Sequence, residues 1–307
     1  MKSILVLGSE GQIGSALCKE LEKEYIVKCM DIVLDTDHDL ARDFSDPYND
    51  ESTDTLTNYL NEVDYVFFLA FDVGGSVYLK KYQDTYEFIH NNISMMKNVF
   101  EKLECHGIPF LFASSQMSNM THSTYGLLKA VGEKYTKSLT GDGYFETSTT
   151  TRFEDRDQGK VVHFWNVYGE EQDLEKSHVI TDFVRMAQSG SIQMRTTGEE
   201  KRQFLHAEDC SKGLIEMMKR HDQLPFVTHL TSFEWTSVKH IATMVAHIAH
   251  LYEPHKDLPE VIPGTATDDV QQMIVNDPDE SILQFWKPEV NLVEGITRIT
   301  DFERKRL

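Results

Sequence analysis

Three side chains in the stretch SSQMSNMTHSTYGLLK, residues 114–129, could do chemistry together: the Ser115 hydroxyl, the Tyr125 phenol and the Lys129 ammonium. A tyrosine and a lysine four apart share one face of a helix, close enough for the cation to stabilise a phenolate. An ordinary tyrosine titrates near pH 10, so acting as a base at neutrality needs a drop of about three pH units, roughly 4 kcal/mol. The spacing alone decides nothing, because Tyr252 and Lys256 repeat it. Context separates the two pairs. Pro254 interrupts a helix between Tyr252 and Lys256. Tyr125 and Lys129 instead follow an apolar run that ends in serines, and Leu127, Leu128, Val131, Tyr135 and Leu139 recur around them at helical spacing, with Ser123 or Thr124 available as the cap.

A second group of residues could hold a phosphate. Gly8, Gly11 and Gly14 in LGSEGQIG follow an apolar run and precede a helix that Gln12 and Ile13 open. Glycines in that setting let the backbone turn sharply, approach a pyrophosphate and pack the helix on the strand, while the helix N-terminus presents free N–H groups. Asp31 ends the next apolar run, where a carboxylate can accept hydrogen bonds from ribose hydroxyls and would repel a 2′-phosphate. Residues 32–41 contain no Arg or Lys, so the charge logic favours NAD over NADP.

These residues need a scaffold, and the chain supplies one by alternation. SILVLG, YIVKCMD, VDYVFFLA, IPFLFASS and VVHFWNVYG read as strands separated by helical patterns, which predicts an α/β fold with a doubly wound parallel sheet. Long helices are expected over 83–103 and 124–139. The polar stretch 141–160 reads as a surface excursion. After residue 170 the alternation loosens, with helical patterns near 178–189, 208–220 and 237–252 and a Pro-punctuated acidic stretch over 253–280. The expected division is a nucleotide-binding domain over 1–170, to which part of 203–237 returns, and a smaller mixed lobe from 171–202 and 238–307.

Composition removes several function classes. The 307 residues are 40% hydrophobic and 26% charged, an ordinary globular balance. The net charge of −20, without clustered Lys or Arg, argues against a nucleic-acid surface. Cys18, Cys29, Cys105 and Cys210 lack metal-ligand or disulfide-framework spacing, and His178 and His206 read as ordinary polar residues, so no metal is expected. No segment looks like a signal peptide or a membrane span, and a reducing cytoplasm is the expected location.

Taken in order, these motifs resemble the extended short-chain dehydrogenase/reductase family, in its NAD-dependent nucleotide-sugar epimerase/dehydratase branch. The resemblance rests on the glycine turn, Asp31, "RDF" at 42–44, the strand end "FFLAFDVGG", Asn92, Ser114 and Ser115, Tyr125 with Lys129, "NVYG" at 166–169 and "GEEKRQFLHAEDC" at 198–210. It implies a Rossmann-type sheet with a substrate lobe, and NAD contacts from Asp43, Phe44, Leu69, Ala70 and Asn92 besides the residues above. It further implies a nucleotide-diphosphate sugar near Gly75, Gln116, Asn166 and Arg202, and a homodimer built from the two long helices. Read on their own, Arg202 could instead pair with Glu199 or Glu200, Asn166 could satisfy a strand end, and apolar Phe88, Val99, Leu103, Val131 and Tyr135 could all face the sheet. The chain departs from the family at Met95–Met96, where a Gly-Thr pair is usual, at His163, where an arginine is common, and in its short Ser115–Tyr125 loop.

The family's chemistry then assigns Tyr125 to take the proton of a sugar hydroxyl as hydride leaves the same carbon for NAD, with Ser115 hydrogen-bonded to that oxygen. In the dehydratase branch Asp and Glu follow the serine position, and decarboxylase-like and 3,5-epimerase-like members place a Glu or Cys where Met117 stands. Here Gln116 and Met117 offer neither acid nor base. The expectation is therefore a C4 epimerase, with net oxidation or reduction at one carbon and a catalytically silent NAD-binding protein as the alternatives.

Overall fold

The computed structural model describes residues 1–33, 56–120, 122–140, 158–266 and 276–306. Asp43 and Phe44 lie outside the described residues, as does 141–157 of the polar stretch. The chain runs β1 (Ser3–Leu7), α1 (Gln12–Leu21), β2 (Ile26–Met30), α2 (56–60), β3 (Tyr65–Phe68), α3 (Ser76–Tyr82), α4 (Tyr86–His106), β4 (Phe110–Ser115), α5 (Thr124–Ser138) and β5 (Gly159–Phe164). It continues through β6 (Asn166–Tyr168), α6 (Val179–Gln188), β7 (Ser191–Gln193), β8 (Lys201–His206), α7 (Ala207–Lys219), β9 (Val227–Leu230), β10 (Trp235–Ser237), α8 (Val238–Tyr252), β11 (Glu260–Ile262) and α9 (Leu292–Lys305).

Six strands form one wholly parallel sheet in the order β2-β1-β3-β4-β5-β9. Strands covered on both faces should be apolar throughout rather than alternating. Every residue of β1, β3 and β4 is buried. One face packs Leu17 and Leu21 of α1 and Leu214 and Met217 of α7; the other packs Phe88, Val99 and Phe100 of α4 and Leu128 of α5. A third apolar core joins α6, α8 and α9 through Phe183, Ile241, Val245 and Ile299, beside a three-stranded β10-β8-β6 sheet and a two-stranded β11-β7 sheet. Among the described residues no helix is long and apolar enough to cross a membrane.

Local chemistry sets the helix ends around the site. The helix expected over 83–103 runs three residues later at each end as α4, because Thr85 starts it by accepting a hydrogen bond from Phe88 N at 3.3 Å; α3, which stops at Tyr82, was not expected. Gly107, at φ +64°, ends α4 in the left-handed region. Ser123, rather than Thr124, caps α5 through Gly126 N at 3.2 Å. The second Tyr-x-x-x-Lys pair comes apart as Pro254 predicts. Tyr252 ends α8 and donates to Asp301 at 2.6 Å, while Lys256 pairs with Glu253.

Candidate active site

The order of the sheet reverses between β1 and β3, and a cleft of about 650 Å³ opens there, at the C-terminal ends of the strands. Gly8, Gly11, Gln12, Ile13, Gly14, Asp31, Leu69 and Ala70 line one end of it. Gly8 sits at φ +87°, and a Cβ on it would fall 2.6 Å from Ala70 N. A Cβ on Gly14 would fall 1.9 Å from the Gly8 carbonyl oxygen, so turn and helix close on each other without room for a side chain. The Asp31 carboxylate accepts from Glu10 N at 2.8 Å and Val33 N at 3.1 Å, which fixes it at the rim with lone pairs to spare. Gly11 offers no side-chain cap to α1, and the Gln12 amide nitrogen is buried without a hydrogen-bond partner among the described residues. A tight glycine cradle, an uncapped helix start and a fixed rim carboxylate fit a dinucleotide with a free ribose diol.

Ser115, Tyr125 and Lys129 come together at the middle of the cleft, where β4 ends and α5 begins. The Gln83 side-chain oxygen accepts from Ser123 Oγ at 3.0 Å and from Tyr125 N at 3.2 Å, tying the first turn of α5 to the end of α3. Ser115 Oγ accepts from Met117 N at 3.2 Å, which starts the 3₁₀ turn Gln116–Asn119. Burial pushes the Tyr125 phenol up to about 12, with a Ser115 hydrogen bond working the other way. Lys129 donates to the Ala113 carbonyl at 2.7 Å, and its ammonium lies 3.5 Å from the centre of the Phe71 ring. Burial pulls this ammonium well below its ordinary value, and the opposing charge is Glu133.

Gly75, Asn166 and Arg202 line the far end of the cleft. Gly75 packs against the segment that leads into α6: a Cβ there would fall 2.1 Å from the Ser177 carbonyl oxygen. The Asn166 side-chain oxygen is buried without a hydrogen-bond partner among the described residues, and Arg202 donates to the Lys201 carbonyl at 2.6 Å. Asn92 and Gln116 do not line the cleft. Asn92 is fully buried and faces the loop after β3, accepting from Asp72 N at 2.8 Å and donating to the Asp72 and Phe88 carbonyls. Gln116 is turned by the 3₁₀ segment toward Asn276, whose amide donates to its side-chain oxygen at 2.8 Å.

The cleft also holds His178, which the sequence marks only as an ordinary polar residue, together with Glu171, Asp72 and Lys176. His178 Nδ1 lies 2.5 Å from Glu171, whose other oxygen accepts from His178 N at 3.0 Å. Burial pulls the imidazole down, but the Glu171 hydrogen bond and charge outweigh it and leave His178 above its ordinary value, protonated over a wider range. Asp72 accepts from Tyr78 at 2.7 Å and from Lys176 at 2.9 Å, bridging the loop after β3 to the segment before α6. Neither group has a spacing that marks it in the sequence, since each joins residues across a loop rather than along a helix.

Residues 4–227 match the family described as the NAD-dependent epimerase/dehydratase family. A putative UDP-glucose 4-epimerase of Methanocaldococcus jannaschii is 26% identical over 59% of this chain, which spans about half (53%) of that relative's length. GDP-mannose 3,5-epimerase 1 of Oryza sativa subsp. indica is 23% identical over 97% of this chain and 80% of its own. The crystal structure of UDP-glucose 4-epimerase from Thermotoga maritima, with UDP-glucose, superposes with a TM-score of 0.76 at 20% identity, covering 99% of each chain.

Proposed function

Because this chain belongs to the NAD-dependent epimerase/dehydratase family, with NAD as its cofactor, we propose that it epimerises a nucleotide-diphosphate sugar at C4. The observation that carries this reading is the meeting of Ser115, Tyr125 and Lys129 in one cleft with the glycine turn and Asp31. Gly8, Gly11, Gly14 and Asp31 would hold the cofactor's diphosphate and ribose, with Leu69 and Ala70 along its side. When bound, NAD supplies the acceptor and donor of hydride. Tyr125 takes the hydroxyl proton of the sugar and later returns it, Ser115 hydrogen-bonds the same oxygen, and Lys129 supplies the positive charge that makes the phenolate accessible. Arg202 and Asn166 are the groups that suit the diphosphate and sugar.

A second reading is favoured by the His178–Glu171 pair. A ketone acidifies the carbons beside it, and a cationic imidazole braced by a buried carboxylate could exchange a proton at such a carbon. That would epimerise C3 or C5, the reaction named for the rice relative. Incubation with candidate nucleotide sugars in D₂O separates the readings. C4 epimerisation gives an epimer with no carbon-bound deuterium, because only the hydroxyl proton passes through Tyr125. Deuterium at C3 or C5 that disappears in His178→Asn would establish the second reading instead. Net reduction of NAD, or binding without any product, would overturn both.

A further inference from the structure

Tyr125, Lys129 and Glu133 follow one another at intervals of four along α5, on the face turned toward β4 and β5. The first two face the cleft, while Glu133 does not line it. Its carboxylate nonetheless carries a dense set of contacts. Ser114 Oγ of β4 donates to Glu133 Oε1 at 2.5 Å, and His163 Nε2 of β5 donates to the same oxygen at 2.8 Å. Ser118, on the 3₁₀ turn, closes the cluster 3.4 Å from His163 Nε2. Both partners of the Glu133–His163 pair are largely buried, at 19% and 14% exposure, so bulk water screens it little.

We propose that Glu133, clamped by His163 and Ser114, is a positioning residue that acts through Lys129 to set the protonation of Tyr125. The inference rests on the reading of Tyr125 as the base of the reaction. An ammonium removed from water goes neutral unless an anion compensates it, and Lys129 has lost its water. Its direct neighbours do not carry that charge: the Ala113 carbonyl and the faces of Phe71 and Phe112 are dipoles and quadrupoles. Among the described residues, the anion beside it is Glu133, one helical turn further along the same face of α5. A neutral Lys129 would leave a Tyr125 phenolate alone in a buried site.

The charges around the cluster are few. Burial works against ionised Glu133, but the His163 hydrogen bond and charge, with Ser114 and Ser118, prevail and hold it below its ordinary range. His163 faces His229 of β9, ring centres 4.9 Å apart. Burial and His163 push His229 down to about 4, with Asp279 and Glu133 opposing, so it remains neutral near pH 7. Among the described residues, the charged groups that bear on the cluster are thus Lys129, Glu133 and, at the margin, Asp279. Ser114 has a second part to play. It precedes Ser115 on β4, so the grip of Glu133 on its hydroxyl also fixes the strand end that carries the Ser115 oxygen.

The test uses the NAD-loaded protein and two variants, Glu133→Gln and His163→Leu. Glu133→Gln keeps the volume and removes the charge; His163→Leu removes the partner that holds that charge in place, so that burial draws the carboxyl toward its neutral form. The expected result in each is a kcat about tenfold or more lower at pH 7, an unchanged KM, and an acid limb of the kcat profile moved up by about one pH unit or more, since one unit is tenfold at fixed pH. A merely structural role would alter the melting temperature or KM and leave the limb in place, and that result overturns the proposal. Should Glu133→Gln not fold, His163→Leu carries the same comparison. Tyrosinate absorbance of the NAD complex, with Tyr125→Phe as the blank, reads the Tyr125 titration without turnover. A wrong substrate assignment would therefore silence the kinetics and leave this shift measurable, whereas an unshifted tyrosinate curve would overturn the role of Glu133 alone.

Discussion

Tyr125 is made a poorer acid by its own surroundings than it would be in water. Starting from about 12, a working phenolate at pH 7 requires about five pH units, roughly 7 kcal/mol, from Lys129 and the positive charge of bound oxidised nicotinamide. We expect the tyrosinate signal of Tyr125 to emerge only near pH 12 without NAD and to move toward neutrality when NAD is added. The sign for stability follows from the same burial. A phenol whose folded value lies above its unfolded value of 10 stabilises the fold fully below pH 10, and that contribution is lost as pH rises through about 12. Tyr125→Phe should lower kcat by about 10²–10⁴-fold while leaving NAD affinity within a few-fold, measured by equilibrium titration. The residues of this set were legible in the sequence because a turn or a single strand–helix junction holds them. His178 with Glu171 and Glu133 with His163 were not, because each pair is completed by a loop or by strand register that no local spacing encodes.

At the scale of elements, the strands were the most legible part of the molecule. Burial on both faces forces uninterrupted apolar runs, and β1, β3 and β4 have them. The start of α4 was less legible, since the cap is Thr85 rather than a residue at the edge of the apolar pattern, and the short α3 before it was not marked at all. Asn92 shows how one side chain ties a helix to a loop. Its amide is saturated by the backbone of Asp72 and Phe88, so it moors the loop after β3 to α4. Asn92→Ala would leave the Asp72 N–H and carbonyl without partners, a cost of roughly 2–4 kcal/mol where they are shielded from water. The expected outcome is a lower urea midpoint together with a raised substrate KM. A loss of NAD affinity as large as the loss of stability would instead return Asn92 to the cofactor.

Over the whole molecule, the two long helices divide their apolar residues between the core and the surface. Phe88, Val99 and Leu103 of α4 are buried in the core, whereas Ile93, Leu127, Val131 and Tyr135 are exposed. Leu127, Val131 and Tyr135 make one exposed stripe along α5, with the Tyr135 ring stacked at its edge on Phe100 of α4. We expect this stripe to be the face of a homodimer. Sedimentation at micromolar concentration should give a dimer, and Val131→Asp a monomer with an unchanged circular dichroism spectrum; a wild-type monomer would refute it. The bridge from Asp72 to Tyr78 and Lys176 has a different reach. It fastens the loop after β3 to the segment that enters α6, and the Lys176 side chain is 37% exposed. Dissolved ions weaken such a half-exposed pair. Rising ionic strength is therefore expected to loosen this tie between two loops at the mouth of the cleft before it touches the groups buried inside.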